Sequence, residues 1–98
     1  MSETGKWGLL GRIRAVPGKR EEVIAHLLDS SRDVPGKLVY LISLEIDDPD
    51  AFWITEVWRD KAAYDACLAM PEVQQGLALT GPLIAAVEHR TETIPLGS

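Results

Sequence analysis

The run from Ala51 to Pro71, AFWITEVWRDKAAYDACLAMP, limits what this chain can fold into more than any other stretch. Phe52, Ile54, Glu56 and Trp58 alternate with Trp53, Thr55 and Val57, and a period of two in β-branched and aromatic residues predicts a strand. Asp60 then offers an N-cap, and Ala62, Ala63, Ala66, Leu68 and Ala69 favour a helix from Lys61 onward. Pro71 ends that helix or begins another. Tyr64, Cys67 and Leu68 fall at i, i+3 and i+4 and share one helix face. A helix folding back over its own strand would gather Glu56, Trp58, Tyr64 and Cys67 around one small space, either a pocket or packed core.

The remaining segments arrange themselves around that junction. Lys6 to Val16 reads as a first strand, with Trp7, Leu9, Ile13 and Ala15 on one face and Leu10, Arg12, Arg14 and Val16 on the other. Pro17 and Gly18 stop it. From Lys19 to about Ser31, Val23, Ile24, Leu27 and Leu28 form an apolar stripe at helical spacing. Val34, Pro35 and Gly36 break the helix and lead into a second strand, Lys37 to Ile46, in which Leu38, Tyr40, Ile42, Leu44 and Ile46 share a face. The turn formers Asp47, Asp48, Pro49 and Asp50 predict an antiparallel hairpin to the third strand. Glu72 to Leu79 reads as another short helix or a kinked continuation, ending near Gly81 and Pro82, before a fourth strand from Leu83 to Thr93. The order βαββαβ, with two crossover helices, predicts a ferredoxin-like α+β fold with the helices on one face of an antiparallel sheet. No repeat or linker interrupts it, so residues 1–98 are expected to form one domain with a core over about 6–93.

Both sheet faces are apolar, yet the helices can cover only one. If they cover Tyr40, Ile42, Ile54 and Trp58, the opposite face carries Val39, Leu41, Trp53 and Val57. A patch of that kind marks an interface, and the expectation is a homodimer with two sheets face to face.

Composition excludes several partners. Ten basic and fifteen acidic residues give a net charge of −5, whereas nucleic acid or an anionic membrane calls for concentrated Lys and Arg. One cysteine among the 98 residues cannot form an intramolecular disulfide or a multi-cysteine zinc site. His26 and His89 stand apart in the sequence and do not suggest a metal site. No apolar run is long enough to span a bilayer, and MSETGKWG lacks the apolar core of a signal peptide. A cytoplasmic location is expected.

The segments RIRAVPGKREEV, VPGKLVY and AFWITEVWRDKAAYDACLAMPEV together resemble the antibiotic biosynthesis monooxygenase family, small dimeric α+β barrel proteins. The resemblance runs from about Trp7 to Glu92 through the PGK turn, the PGxLxY segment and the ExWxDxxA link. It implies a homodimer and, from the family's characterised enzymes, oxidation of anthrones, naphthols or quinols by dioxygen without metal or flavin. Trp58 and Tyr64 match in type and spacing the Trp and Tyr of the cofactor-free anthrone oxygenases. Their Asn is Ile54 here, and the histidines of the AHxxxPHF pattern are Cys67 and Glu72. Haem-degrading proteins of this fold class rely on an Asn, a Trp and a His, and this chain contains no Asn.

The candidate catalytic residues are therefore Trp58, Tyr64 and Glu56, in a pocket also lined by Ile54, Tyr40, Cys67 and Leu68. Glu56 reads either as a buried base with raised pKa or as an ion-paired structural residue. Trp58 reads as an indole N–H donor to an oxyanion or as core, Tyr64 as a hydroxyl facing a phenolic substrate, and Cys67 as a buried thiol without a base to activate it. The expected function is cofactor-independent oxygenation of a polycyclic phenol, anthrone or quinol. The alternative is a non-catalytic dimer that binds a small aromatic ligand.

Overall fold

The computed structural model describes residues 5–97. Four strands, β1 (Trp7–Ala15), β2 (Lys37–Leu44), β3 (Ala51–Trp58) and β4 (Ile84–Thr93), form one antiparallel sheet in the order β2-β3-β1-β4. Helices α1 (Arg20–Ser30), α2 (Lys61–Leu68) and α3 (Pro71–Thr80) pack on one face, as the ferredoxin-like reading requires. The second crossover holds two helices rather than one. Proline at the first helical position lacks only an N–H that would be unpaired anyway, so Pro71 opens α3 instead of kinking α2. A short 3-10 turn, Gly81–Leu83, then delivers the chain to β4.

Side-chain parity holds through β1 and β3. Leu9, Ile13, Phe52, Glu56 and Trp58 are buried beneath the helices. The core divides into two clusters along this face. Ile13, Ala15, Val23, Leu27 and Phe52 pack at one end, and Val34, Trp58, Ala63, Cys67 and Val73 at the other. Asp60 caps α2 as expected, its Oδ1 accepting the Ala63 N–H at 2.8 Å. The α1 stripe is narrower than its sequence suggests, because Leu28 is exposed while Val23 and Leu27 are buried.

Strand β2 ends at Leu44, short of the expected Ile46, which is 97% exposed. The cause is the charge network of the hairpin. Arg20 donates from Nη1 to the carbonyls of Asp48 and Ala51, and Arg14 pairs with Asp48 at 2.7 Å. These bonds bind the Asp47–Asp50 turn to α1 and β1 and carry Ile46 off the sheet.

Helices α1 and α3 meet where Gly76 faces Ser30. A Cβ at position 76 would stand 2.3 Å from the Ser30 Cβ. Helix propensity favours Gly→Ala by ~1 kcal/mol, but overpacking costs ~1–3 kcal/mol. Gly76→Ala is therefore expected to lower stability by ~1 kcal/mol, read as a fall in Tm by circular dichroism. A rise in Tm would contradict the close approach.

Candidate functional site

Between the two core clusters the helices and the sheet leave a cavity of about 300 Å³, at the lower end of the range for small-molecule sites. Its floor is the helix-facing side of β1, β2 and β3, through Leu9, Gly11, Tyr40, Ile54, Glu56 and Trp58, and its walls come from α1, α2, α3 and β4. Every pocket or catalytic candidate from the sequence lines this one cavity: Ile54, Tyr40, Cys67, Leu68, Trp58, Tyr64 and Glu56. The i, i+3, i+4 spacing of Tyr64, Cys67 and Leu68 accounts for the α2 contribution.

Glu56 is the polar centre. Its neighbours across the sheet are Tyr40 on β2 and Leu9 on β1. The Trp58 indole donates its N–H to Glu56 Oε1 at 3.0 Å, in a buried contact. Burial raises the Glu56 pKa above the ordinary carboxylate value, opposed by the Trp58 hydrogen bond and by the charges of Arg90 and Lys37. Of the two readings of Glu56, the structure bears on its surroundings: its recorded hydrogen bond is to an indole and its side chain forms no salt bridge among the described residues. Trp58 is 1% exposed and uses its N–H to hold this carboxylate. In this arrangement the indole N–H is engaged by Glu56.

Tyr64 packs edge-on against Trp58 at 5.6 Å between ring centroids, and its ring meets that of Trp7 at 4.6 Å with the planes tilted by 37°. The Tyr40 phenol is pushed up by burial, with the Glu56 charge adding to the effect, so it remains a proton-bearing donor at neutral pH. Burial likewise pushes up the Cys67 thiol, which makes it a poor nucleophile. The cavity thus offers a carboxylate with raised pKa and two phenols within a lining that is mostly aliphatic and aromatic but also includes Ser30, Ser31, His89 and Arg90.

Other lining residues escaped the sequence reading, among them Ser30, Val73, Leu77, Val87 and Arg90. The β4 pairing with β1 shifts register twice, between Arg12 and Ile13 and between Arg14 and Ala15. These bulges break the period of two, so Val87 and Arg90 reach the same side although strict alternation separates them. No local signal marks them.

The opposite sheet face holds Val39, Leu41, Trp53 and Val57, with Leu10 and Thr55 between them in the register. Val39 and Leu41 are exposed. Beside this apolar half lies a charged one. Arg12 grips Glu45 with two hydrogen bonds, 2.7 and 2.6 Å, and also pairs with Glu88. Trp53 donates its indole N–H to Glu45 at 2.9 Å, and its ring lies 5.9 Å from that of His89. The Arg12 bond, aided by Trp53, holds the Glu45 carboxyl at about 2. Among the described residues no group of three or more His, Cys, Asp or Glu is arranged to hold a metal ion, and no helix is long and apolar enough to cross a membrane.

Fold and cavity together define a ferredoxin-like α+β protein with a small aromatic-lined pocket between sheet and helices. The family model described as antibiotic biosynthesis monooxygenase matches residues 8–79, and the chain belongs to that family. A structure of a candidate antibiotic biosynthesis monooxygenase from Chloroflexus aurantiacus J-10-fl is 43% identical, with a TM-score of 0.93 and 95% of each chain covered. A second candidate of that name, from Bacteroides thetaiotaomicron, is 28% identical with a TM-score of 0.83 over 94% of this chain and 90% of the other. An uncharacterised Synechocystis protein is 31% identical over 78 residues, 76% of this chain. The chain spans about half, 53%, of that relative's length.

Proposed function

We propose that the protein is a cofactor-independent monooxygenase that oxidises a polycyclic phenol, anthrone or quinol with dioxygen. The observation that carries this reading is Glu56, a carboxylate of raised pKa held by Trp58 in the floor of the cavity. For an anthrone, ionised Glu56 takes a proton from the ring methylene, and the resulting carbanion is electron-rich enough to reduce dioxygen itself. Electron transfer and carbon–oxygen bond formation give a peroxide, which recovers the proton from Glu56. Loss of the remaining C–H proton with hydroxide releases water and leaves a carbonyl. One methylene and one dioxygen become one carbonyl and one water, so all four electrons come from the substrate. Tyr64 and Tyr40 are the groups suited to hold the substrate oxygen, and the apolar walls exclude water from the anion.

Aerobic turnover of an anthrone or quinol by metal-free protein is expected, and Tyr64→Phe should lower kcat/KM by roughly tenfold or more, the order expected for losing a hydrogen bond to a charged group. Rates no better than buffer across a panel of such substrates would contradict the proposal. Saturable binding without oxygen consumption would select the non-catalytic ligand-binding dimer instead.

The open sheet face supports the homodimer in this reading. Its apolar half is suited to meet the same half of a second copy, while the arginines and carboxylates beside it are already paired within the chain. Sedimentation at micromolar concentration should give a dimer, and Leu41→Glu a monomer. A monomeric wild-type protein would remove the argument.

A further inference from the structure

We infer that Arg90 determines ligand specificity by selecting aromatic ligands that carry a carboxylate, held across the cavity floor from Glu56. This rests on the cavity being a ligand site for aromatic compounds. On the helix-facing side, Gly11 of β1 lies between Ile54 of β3 and Arg90 of β4 in register. With adjacent strands about 4.8 Å apart, Arg90 and the β3 row that carries Glu56 are separated by about 10 Å. Gly11 puts no side chain in between, and the nearest atom to a Cβ built there is the His89 carbonyl oxygen, 3.5 Å away. The space above Gly11 therefore joins the two charged groups.

Arg90 is also set apart from the other arginines. Arg12, Arg14, Arg32 and Arg59 are paired with carboxylates, and Arg20 binds the carbonyls of the β2–β3 turn. The Arg90 residue is exposed, and its side chain makes no hydrogen bond or ion pair among the described residues. The acidic neighbours on its own strand are engaged elsewhere, Glu88 with Arg12 and Arg14, and Glu92 with Trp7 and Lys61. A guanidinium that lines a cavity with its donors unclaimed matches the planar fork of a carboxylate. A fused-ring hydroxy acid would place its carboxylate at Arg90 and its hydroxyl toward Glu56 and Tyr64.

The test is calorimetric binding of 6-hydroxy-2-naphthoate, whose hydroxyl and carboxylate stand at opposite ends of the fused ring, and of 2-naphthol to the wild-type protein, Arg90→Lys and Arg90→Gln, with thermal melts confirming the fold of each variant. The acid should bind wild type at least about tenfold tighter than the naphthol, the size expected for a charge-assisted pair. Arg90→Gln should bring that ratio close to one, and Arg90→Lys should retain part of it. Equal affinities in wild type, or a preference that survives Arg90→Gln, would overturn the inference, as would the absence of binding by either probe. A preference that depends on Arg90 without oxygen consumption sustains the inference while the oxygenase reading falls.

Discussion

Replacing Glu56 with glutamine is expected to lower anthrone turnover by about 10²–10⁴-fold, the usual contribution of a general base, while raising stability at neutral pH. The two effects share one cause. Burial raises the carboxyl's folded-state pKa, so between the unfolded and folded values the native state binds more protons, and stability falls as pH rises through that window. Above it the full cost of an ionised buried carboxylate remains. Glutamine is close to isosteric, its amide oxygen can still accept the Trp58 N–H, and it never ionises. Its advantage in Tm should be greatest above the folded pKa and vanish below the unfolded one. The acid limb of the wild-type kcat/KM profile should lie above the ordinary carboxylate range. A Glu56→Gln variant that loses stability and keeps its activity would assign the residue a structural role.

The second large effect concerns Trp58. At 1% exposure, its truncation to alanine is expected to cost ~3–5 kcal/mol, read as a lower denaturation midpoint. Trp58→Phe is the more informative change, since an aromatic ring remains while the N–H is lost together with the pyrrole part of the indole. It leaves a buried acceptor short of its donor, at ~1–3 kcal/mol. The Trp58 hydrogen bond holds the Glu56 pKa down against burial. Trp58→Phe should therefore move the acid limb of kcat/KM to higher pH, as a residue that positions and tunes the base would. An unmoved limb with a simple loss of Tm would mean that Trp58 serves only the core.

Period-two alternation in β3 and helical spacing in α2 are local signals that survive folding. They made Glu56, Trp58, Tyr64, Cys67 and Leu68 legible as one cluster, and they placed Trp53 and Val57 on the opposite face. The rest depends on contacts between distant segments. The contact of Trp7 with Tyr64 joins residues far apart in the chain. Val87 joins Arg90 in the cavity lining because the bulges in β4 offset the parity of Val87. Ile46 continues an apolar alternation that the strand abandons, since the ion pairs of Asp48 and the hydrogen bonds of Arg20 outweigh one more ladder position. The break between α2 and α3 was ambiguous for another reason, because Pro71 is compatible with both an end and a beginning.

The most direct measurement is oxygen uptake by metal-free protein supplied with an anthrone, with the carbonyl product followed in the same vessel. The account predicts one dioxygen consumed per carbonyl formed, at a rate above buffer that collapses in Glu56→Gln. Uptake no faster than buffer, or uptake unchanged by Glu56→Gln, would contradict it.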